Sequence, residues 1–160
     1  EGARCGCSGG SPCDTDSCIN RVMLTECCPK SCALGAACRN RRIASRVYPS
    51  VRVRLTEGRG HGLFAAEKIP KGTLVQEYVG EVICQEEQQR RFRGYRHGDP
   101  VYFFALGSLF IDASEYGSLA RFINHSCGPN CHSQRWRVGG EERVGIFALR
   151  EIEEGEELGY

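Results

Sequence analysis

The segment Arg121–Cys131, RFINHSCGPNC, poses the question on which the fold turns. It packs Asn, His, Ser, two cysteines, Gly and Pro into eleven residues. Three chemistries fit such a string: a thiol nucleophile with its base, part of a metal site, or a tight turn. Cys127 with His125 as base is disfavoured. Side chains two residues apart hydrogen-bond each other poorly, and the partners of a catalytic cysteine usually come from distant segments.

Outward from this segment the chain is near-neutral, with 21 Lys+Arg against 20 Asp+Glu in 160 residues. That balance argues against wholesale coating of nucleic acid and leaves room for a local DNA contact. Apolar residues make up 41% of the sequence, enough for a real core. No apolar run approaches the ~20 residues of a membrane span, and no secretory leader is visible.

Cysteine is the loudest signal. Eight of eleven fall in the first 38 residues: Cys5, Cys7, Cys13, Cys18, Cys27, Cys28, Cys32 and Cys38. A disulfide framework is the alternative for a small secreted protein. The odd total, the C-x-C start and the C-x4-C spacings favour tetrahedral zinc instead. Residues 1–42 have little apolar content, and Ser8–Cys18 is turn chemistry. Metal crosslinks are therefore the expected substitute for a core here. The basic run Arg39–Arg46, RNRRIASR, reads first as a solvated hinge and second as a nucleic-acid contact.

From residue 50 the texture changes to short strands. Val51–Glu57 alternates, with Val51, Val53 and Leu55 on one face and Arg52 and Arg54 on the other. Thr73–Ile83 is β-prone after a turn at Pro70–Gly72. Gln85–Arg96 reads as a solvated surface helix. Val101–Gly107 and Ser108–Ser114 predict a hairpin, and Ser133–Leu149 a second one around Gly139–Gly140. Ser114–Asn124 predicts one or two helical turns, and Glu154–Gly155 a turn. The glycines of Glu57–Phe64, EGRGHGLF, suggest a dinucleotide loop, but the context fails. The preceding strand alternates with arginines, and Pro70 leaves no room for a crossover helix. A ligand contact and a plain β-turn both remain open there.

In order and rough spacing, GRGHGLFA, EYVGEVI, YFFAL, ARFINHSCGPNC and EELGY resemble the SET domain of protein lysine methyltransferases. The N-terminal pattern C-x-C…C-x4-C-x-NR…EC-x4-C-x5-C resembles the AWS domain. It precedes SET in the Ash and NSD enzymes that methylate histone H3 lysine 36. The resemblance implies a mostly β SET fold with a C-terminal pseudoknot and few helices over residues 43–160, preceded by an irregular zinc-bound AWS module over 1–42. It implies S-adenosylmethionine as methyl donor, contacted by Arg59, Gly60, His61, Tyr102, Arg121, Asn124 and His125. His61 stands where the family usually has Trp. Arg121 is a candidate to hold the pseudoknot or to form a surface salt bridge. Tyr102 and Tyr160 are the implied catalytic residues, Tyr160 matching the position that limits how many methyl groups fit and favouring mono- or dimethylation. Phe103, Phe104 and Phe122 are expected in the core, and Gly128, Pro129 and Asn130 in a turn.

Seven cysteines match the AWS pattern: Cys5, Cys7, Cys13, Cys18, Cys27, Cys32 and Cys38. Two tetrahedral zincs need eight thiolate positions, so one sulfur must bridge, and the family suggests Cys13. Glu26 precedes Cys27 as it does in the AWS family, and that resemblance sets the register and selects Cys27 over Cys28. The family continues beyond EELGY with a further tyrosine and with cysteines that join Cys127 on a zinc, so the chain is expected to be part of a longer protein. The implied setting is the nucleus, with the histone H3 tail or nucleosome as substrate and regulatory proteins as further partners. A non-catalytic, zinc-containing module that docks on chromatin or a partner is the competing reading.

Overall fold

The computed structural model describes residues 4–8 and 13–160. Part of the turn expected within Ser8–Cys18, at 9–12, lies outside the described residues. In chain order, a four-residue helix α1 (Ile19–Val22) and a second, α2 (Arg42–Ser45), precede strands β1 (Val51–Thr56) and β2 (Gly60–Ala65). Then come β3 (Leu74–Tyr78), β4 (Glu81–Ile83), helix α3 (Gln85–Phe92), β5 (Phe103–Leu106) and β6 (Leu109–Asp112). A 3-10 turn (Leu119–Phe122) leads to β7 (Cys131–Val138) and β8 (Glu141–Ala148).

The strands form three small antiparallel sheets, β1-β2, β3-β8-β7 and β4-β6-β5. Both predicted hairpins form, β5-β6 through Gly107 and β7-β8 through Gly139–Gly140. The β-prone run Thr73–Ile83 divides in two. At Gly80 the chain leaves the β3 sheet for the β4 sheet and passes so close to Asp112 that an added Cβ would lie 2.4 Å from its carbonyl oxygen. Only glycine tolerates that approach.

The main core lies where the sheets meet. Leu63, Ile69, Val75, Ile111, Ile123, Val144, Ile146, Ile152 and Leu158 are buried together. Val51 and Val53 pack against it as alternation predicts. Leu55 does not: it is 77% exposed, because β1 pairs it with His61 near the hairpin tip, beyond the core. Helix α3 has no buried residue, as its charge pattern predicts. Its Arg91 reaches Glu87, Glu81 and the buried Asp112, each at 2.7 Å, and ties the helix to β4 and β6.

The run Arg39–Arg46 is not a solvated hinge. Asn40 and Ile43 are fully buried, and Ile43 packs with Leu74, Trp136, Val138 and Phe147. The buried Glu26 carboxylate accepts the Ile43 and Ala44 N–H groups at the start of α2, satisfying donors that a helix N-terminus leaves unpaired. Segment Leu24–Glu26 pairs in parallel with Arg137 at the edge of β7. The Arg137 N–H donates to Leu24 at 2.8 Å and the Glu26 N–H to Arg137 at 2.9 Å. The cysteine-rich region is thus sewn to the strand body by main chain and by one carboxylate.

Ile43 is the apolar end of that seam. Ile43→Ala is expected to cost about 2–5 kcal/mol in urea unfolding, whereas Leu55→Ala, on the exposed hairpin tip, stays within about 0.5 kcal/mol of the parent.

Candidate functional site

The C-terminal residues Glu156–Tyr160 thread between β2 and the segment Asn124–Cys131. On one side the Leu158 N–H donates to Leu63 at 2.8 Å, and Phe64 bridges Glu157. On the other, Asn124 pairs in parallel with Gly159. The Tyr160 N–H donates to Asn124 at 3.2 Å, the Ser126 N–H to Tyr160 at 3.0 Å and the Cys131 N–H to Gly159 at 2.9 Å. A Cβ on Gly159 would stand 2.7 Å from Ser126 Cβ, so the crossing closes only over glycine.

Asn130 locks the crossing. It is buried, its Nδ2 donates to the Glu157 carbonyl at 2.8 Å and to Glu156 Oε1 at 3.0 Å, and its Oδ1 accepts the Gly159 N–H at 2.9 Å. Asn130 sits in the bend that the sequence predicts and has a further role there: a side chain with both a donor and an acceptor end is what the crossing demands. Arg150, ion-paired to Glu156, holds that carboxyl down at about 2.

A cavity of about 190 Å³ opens beside the crossing, lined by Arg59, Asn124, His125, Gly128, Glu157 and Gly159, among others. Arg59 donates to Glu157 Oε2 at 2.8 Å. Asn124 Nδ2 lies 3.2 Å from both Glu157 Oε1 and the His61 carbonyl. Glu157 thus orients Arg59 and Asn124 together. The turn at Glu57–Arg59 brings Gly60 and His61 to this edge, and the His61 ring meets Phe122 edge-on at 6.0 Å. The glycine-rich loop is therefore a β-turn that also borders a cavity.

Behind the crossing lies an aromatic group. Phe104 stands between Tyr78 and Tyr160, with ring centroids 5.0 Å and 6.2 Å away. The Tyr78 hydroxyl donates to the Tyr102 carbonyl at 2.9 Å. Burial pushes the Tyr78 and Tyr160 hydroxyls above the usual phenol range. Arg121 makes no carboxylate pair among the described residues. Its guanidinium lies 4.1 Å over the Tyr102 ring and donates to the Ser114 carbonyl at 2.9 Å. Tyr102 and Arg121 therefore sit off the Arg59–Asn124 cavity. Phe104 and Phe122 are partly buried and pack against the main core, as expected, whereas the part-buried Phe103 meets Tyr95.

The N-terminal cysteines form a second constellation. All eleven cysteines are free thiols. The Sγ atoms of Cys5, Cys7, Cys13 and Cys18 lie within 4.8 Å of one another, as do those of Cys5, Cys13, Cys27 and Cys32. Cys38 is buried in the same cluster but belongs to neither foursome. The Cys5–Cys13 and Cys18–Cys27 separations are 3.7 and 3.9 Å, close to the ~3.8 Å that a tetrahedron of ~2.3 Å zinc–sulfur bonds requires. Cys13 is fully buried with φ +62°, a strained backbone that centres its sulfur. Burial pushes the Cys27 thiol up to about 11, against donation from Asn40 and Asn20. Buried thiols without a cation resist ionisation, so the donor set suits a soft divalent ion.

The SET-domain model matches residues 60–160 and the AWS-domain model residues 4–46. The chain belongs to the SET-domain family. It is 44% identical over 163 residues to a mouse histone-lysine N-methyltransferase, H3 lysine-36 specific, covering 98% of this chain and 6% of that one. It is 45% identical over 152 residues to a Candida albicans histone-lysine N-methyltransferase, H3 lysine-36 specific (92% and 18%), and 43% over 160 residues to Drosophila melanogaster histone-lysine N-methyltransferase ash1 (98% and 7%). The chain thus spans less than a fifth of the length of these relatives. In structure it resembles a chain of ctPRC2 in an autoinhibited conformation bound to S-adenosylmethionine, with TM-score 0.82 and 31% identity over 89% of this chain and 21% of that one.

Within the SET body, the crossing brings together Arg59, Gly60, His61, Asn124 and His125 and sets Tyr160 on its other side. Tyr78, Asn130 and Glu157 escaped the sequence reading. Glu157 carried a signal, as the acidic residue before the apolar Leu158, but its partners are 98 and 33 residues away. In the AWS module, Asn20 and Asn40, 3.6 and 3.4 Å from Cys27 Sγ, were hidden for the same reason.

Asn130→Ala deletes three hydrogen bonds at the crossing and leaves the buried Gly159 N–H unpaired. The expected loss is at least about 2 kcal/mol in urea unfolding. Asn130→Asp keeps the acceptor for Gly159 but sets a charge beside Glu156, so its loss is expected to grow as pH rises through the carboxylate range.

Proposed function

We propose that this chain is the catalytic portion of an S-adenosylmethionine-dependent histone-lysine methyltransferase acting on histone H3 lysine 36 in the nucleus. The observation that carries this is the crossing: one five-residue segment borders the Arg59–Asn124 cavity and also delivers Tyr160 to the aromatic group of Tyr78 and Phe104. A methyl donor and an amine acceptor need two such compartments meeting at one point.

The cavity offers donors from Arg59, Asn124 and His125 and acceptors from Glu157, which suits a zwitterionic amino-acid moiety. When bound, S-adenosylmethionine supplies an electrophilic methyl on a sulfonium. His61, whose carbonyl meets Asn124, and its neighbour Gly60 are assigned to the same cofactor, as are Tyr102 and Arg121, which stack on each other off that cavity. The substrate amine has a solution pKa near ~10.4 and is almost wholly charged at neutral pH. An aromatic channel lined by Tyr78, Phe104 and Tyr160 disfavours the ammonium by desolvation. The tyrosine oxygens and nearby carbonyls aim the lone pair, so catalysis is positioning plus a fitted dipolar channel. Tyr102 and Tyr160 act there as the catalytic pair. Tyr160 keeps a hydroxyl, and room for its water, where a further methyl would sit, which favours mono- and dimethylation.

The AWS module, over residues 1–42, holds two zinc ions. Cys5, Cys7, Cys13 and Cys18 take the first, and Cys27, Cys32 and Cys38 take the second with Cys13 shared. The SET catalytic body occupies 43–160. Partners are the H3 tail or nucleosome. A DNA contact through Arg39–Arg46 has less support, because Arg41 and Arg42 are turned to the protein's own carbonyls and rings.

The full-length protein carrying this chain is expected to transfer labelled methyl groups to lysine 36 of nucleosomal H3. Asn124→Ala should lower the rate about 10²-fold, and Tyr160→Phe should raise the share of the higher methylated product. Failure to take up S-adenosylmethionine in calorimetric titration would reduce the chain to a zinc-containing docking module. Metal analysis should return two zincs per chain, both lost in Cys13→Ser; one or none contradicts the bridged assignment.

A further inference from the structure

At the seam between the AWS module and the SET body an open cleft of about 370 Å³ lies apart from the Arg59–Asn124 cavity. Its floor is Trp136 and Phe147, and its rim carries Arg21, Val22, Arg42 and His132. The Arg42 guanidinium lies 4.6 Å over the Phe147 ring and 5.1 Å over the Trp136 ring, and donates to the Gly72 carbonyl at 2.9 Å. Neither Arg21 nor Arg42 has an ion-pair partner among the described residues. Burial, and then the neighbouring Arg21 charge, lowers Arg42 to about 10. The carboxylate that acts on Arg42, Glu26, is already engaged at α2. His132 Nδ1 is buried without a hydrogen-bond partner. The cavity thus holds two under-compensated cations and an unsatisfied ring nitrogen above an apolar floor, with Asp16 the one acid on its lining among the described residues.

Helix α1 extends this surface outward. Ile19, Val22 and Met23 are 53%, 52% and 69% exposed. Their i, i+3 and i, i+4 spacing sets them on one face of the helix, and Val22 continues that face into the cavity rim.

We propose that this seam docks a short acidic peptide segment of a partner protein, with a carboxylate against Arg21 and Arg42 and a neighbouring apolar side chain covering Ile19, Val22 and Met23. Charge complementarity selects an anion, since two adjacent guanidiniums without an ion-pair partner repel each other until one arrives. The apolar face selects a peptide over a nucleic-acid backbone. A phosphodiester would satisfy the arginines but set three exposed aliphatic side chains against a hydrated, charged chain. The footprint is small, which suits a weak, regulated contact.

Trp136 is the only tryptophan of the chain and lies on the cavity floor, so its emission reports occupancy directly. The full chain is panned against a displayed library of random dodecapeptides, and the enriched sequences are synthesised and titrated against Trp136 fluorescence. Enriched peptides are expected to place Asp or Glu within a few residues of an apolar side chain and to shift the emission saturably. Arg21→Gln and Arg42→Gln should each weaken binding by about tenfold or more. Val22→Asp, an exposed change that spares the fold, should do the same, while Val22→Leu binds as the parent does. No enrichment, enrichment of basic or uncharged peptides, unchanged affinity in Val22→Asp, or displacement of the peptide by a short DNA duplex would each overturn the proposal.

Discussion

The candidate site of the SET body hangs on five residues at the chain's C-terminal end passing between two other segments. The crossing is held mainly by main-chain hydrogen bonds, from Leu158 to Leu63, Tyr160 to Asn124 and Cys131 to Gly159, so it is insensitive to most side-chain detail. Two positions are exceptions. Gly159 must lack a Cβ because Ser126 occupies that space, and Asn130 must offer both a donor and an acceptor because three groups of the crossing chain point at it. Because the same segment touches the Arg59–Asn124 cavity and the aromatic group, a shift in one displaces the other. In the proposed reaction that linkage fixes donor and acceptor on one rigid element, where small misplacements are costly.

The N-terminal module solves a different physical problem. Its buried cluster is made of thiols, with Leu34 the one aliphatic side chain packed against it among the described residues, so the hydrophobic effect has little to act on. What orders it from outside is the SET body: the pairing of Leu24–Glu26 with Arg137, and Glu26 holding the first N–H groups of α2. Burial raises the Glu26 carboxyl, and donation from Ile43 and Ala44 works against that rise. A group this well enclosed is tolerated because both oxygens have donors. The metal ions inferred for the cluster would supply from inside what the seam supplies from outside.

The strands, both hairpins and the charged helix were legible because each depends on local pattern: alternation, a Gly–Gly turn, a run without an apolar face. The family was legible because RFINHSCGPNC and the cysteine spacings are specific strings. What escaped was decided by distant partners. Asn130 looks like a turn residue until Glu157 and Gly159 arrive, and Glu157 is one of many acids until Arg59 and Asn124 meet on it. Leu55 follows the alternation of Val51 and Val53 faithfully, yet the strand outruns the core. The basic run at Arg39–Arg46 advertised its charges and hid the fact that Asn40 and Ile43 between them are fully buried.

The same contrast bears on why no acid–base pair stands out in the sequence. The aromatic group offers two hydroxyls, Tyr78 and Tyr160, both driven by burial toward the neutral form. A tyrosinate beside an incoming lysine would stabilise the ammonium, which is the unreactive state. Neutral hydroxyls leave desolvation unopposed and present dipoles that can hold an amine by its lone pair or its N–H. A channel that works by keeping its own groups uncharged needs no perturbed carboxylate or imidazole. Its signature is instead a pair of phenols tilted against the Phe104 ring behind a main-chain crossing. Tyr78 belongs to that pair through a partner 24 residues away, the Tyr102 carbonyl that its hydroxyl meets, which is why no local pattern marks it.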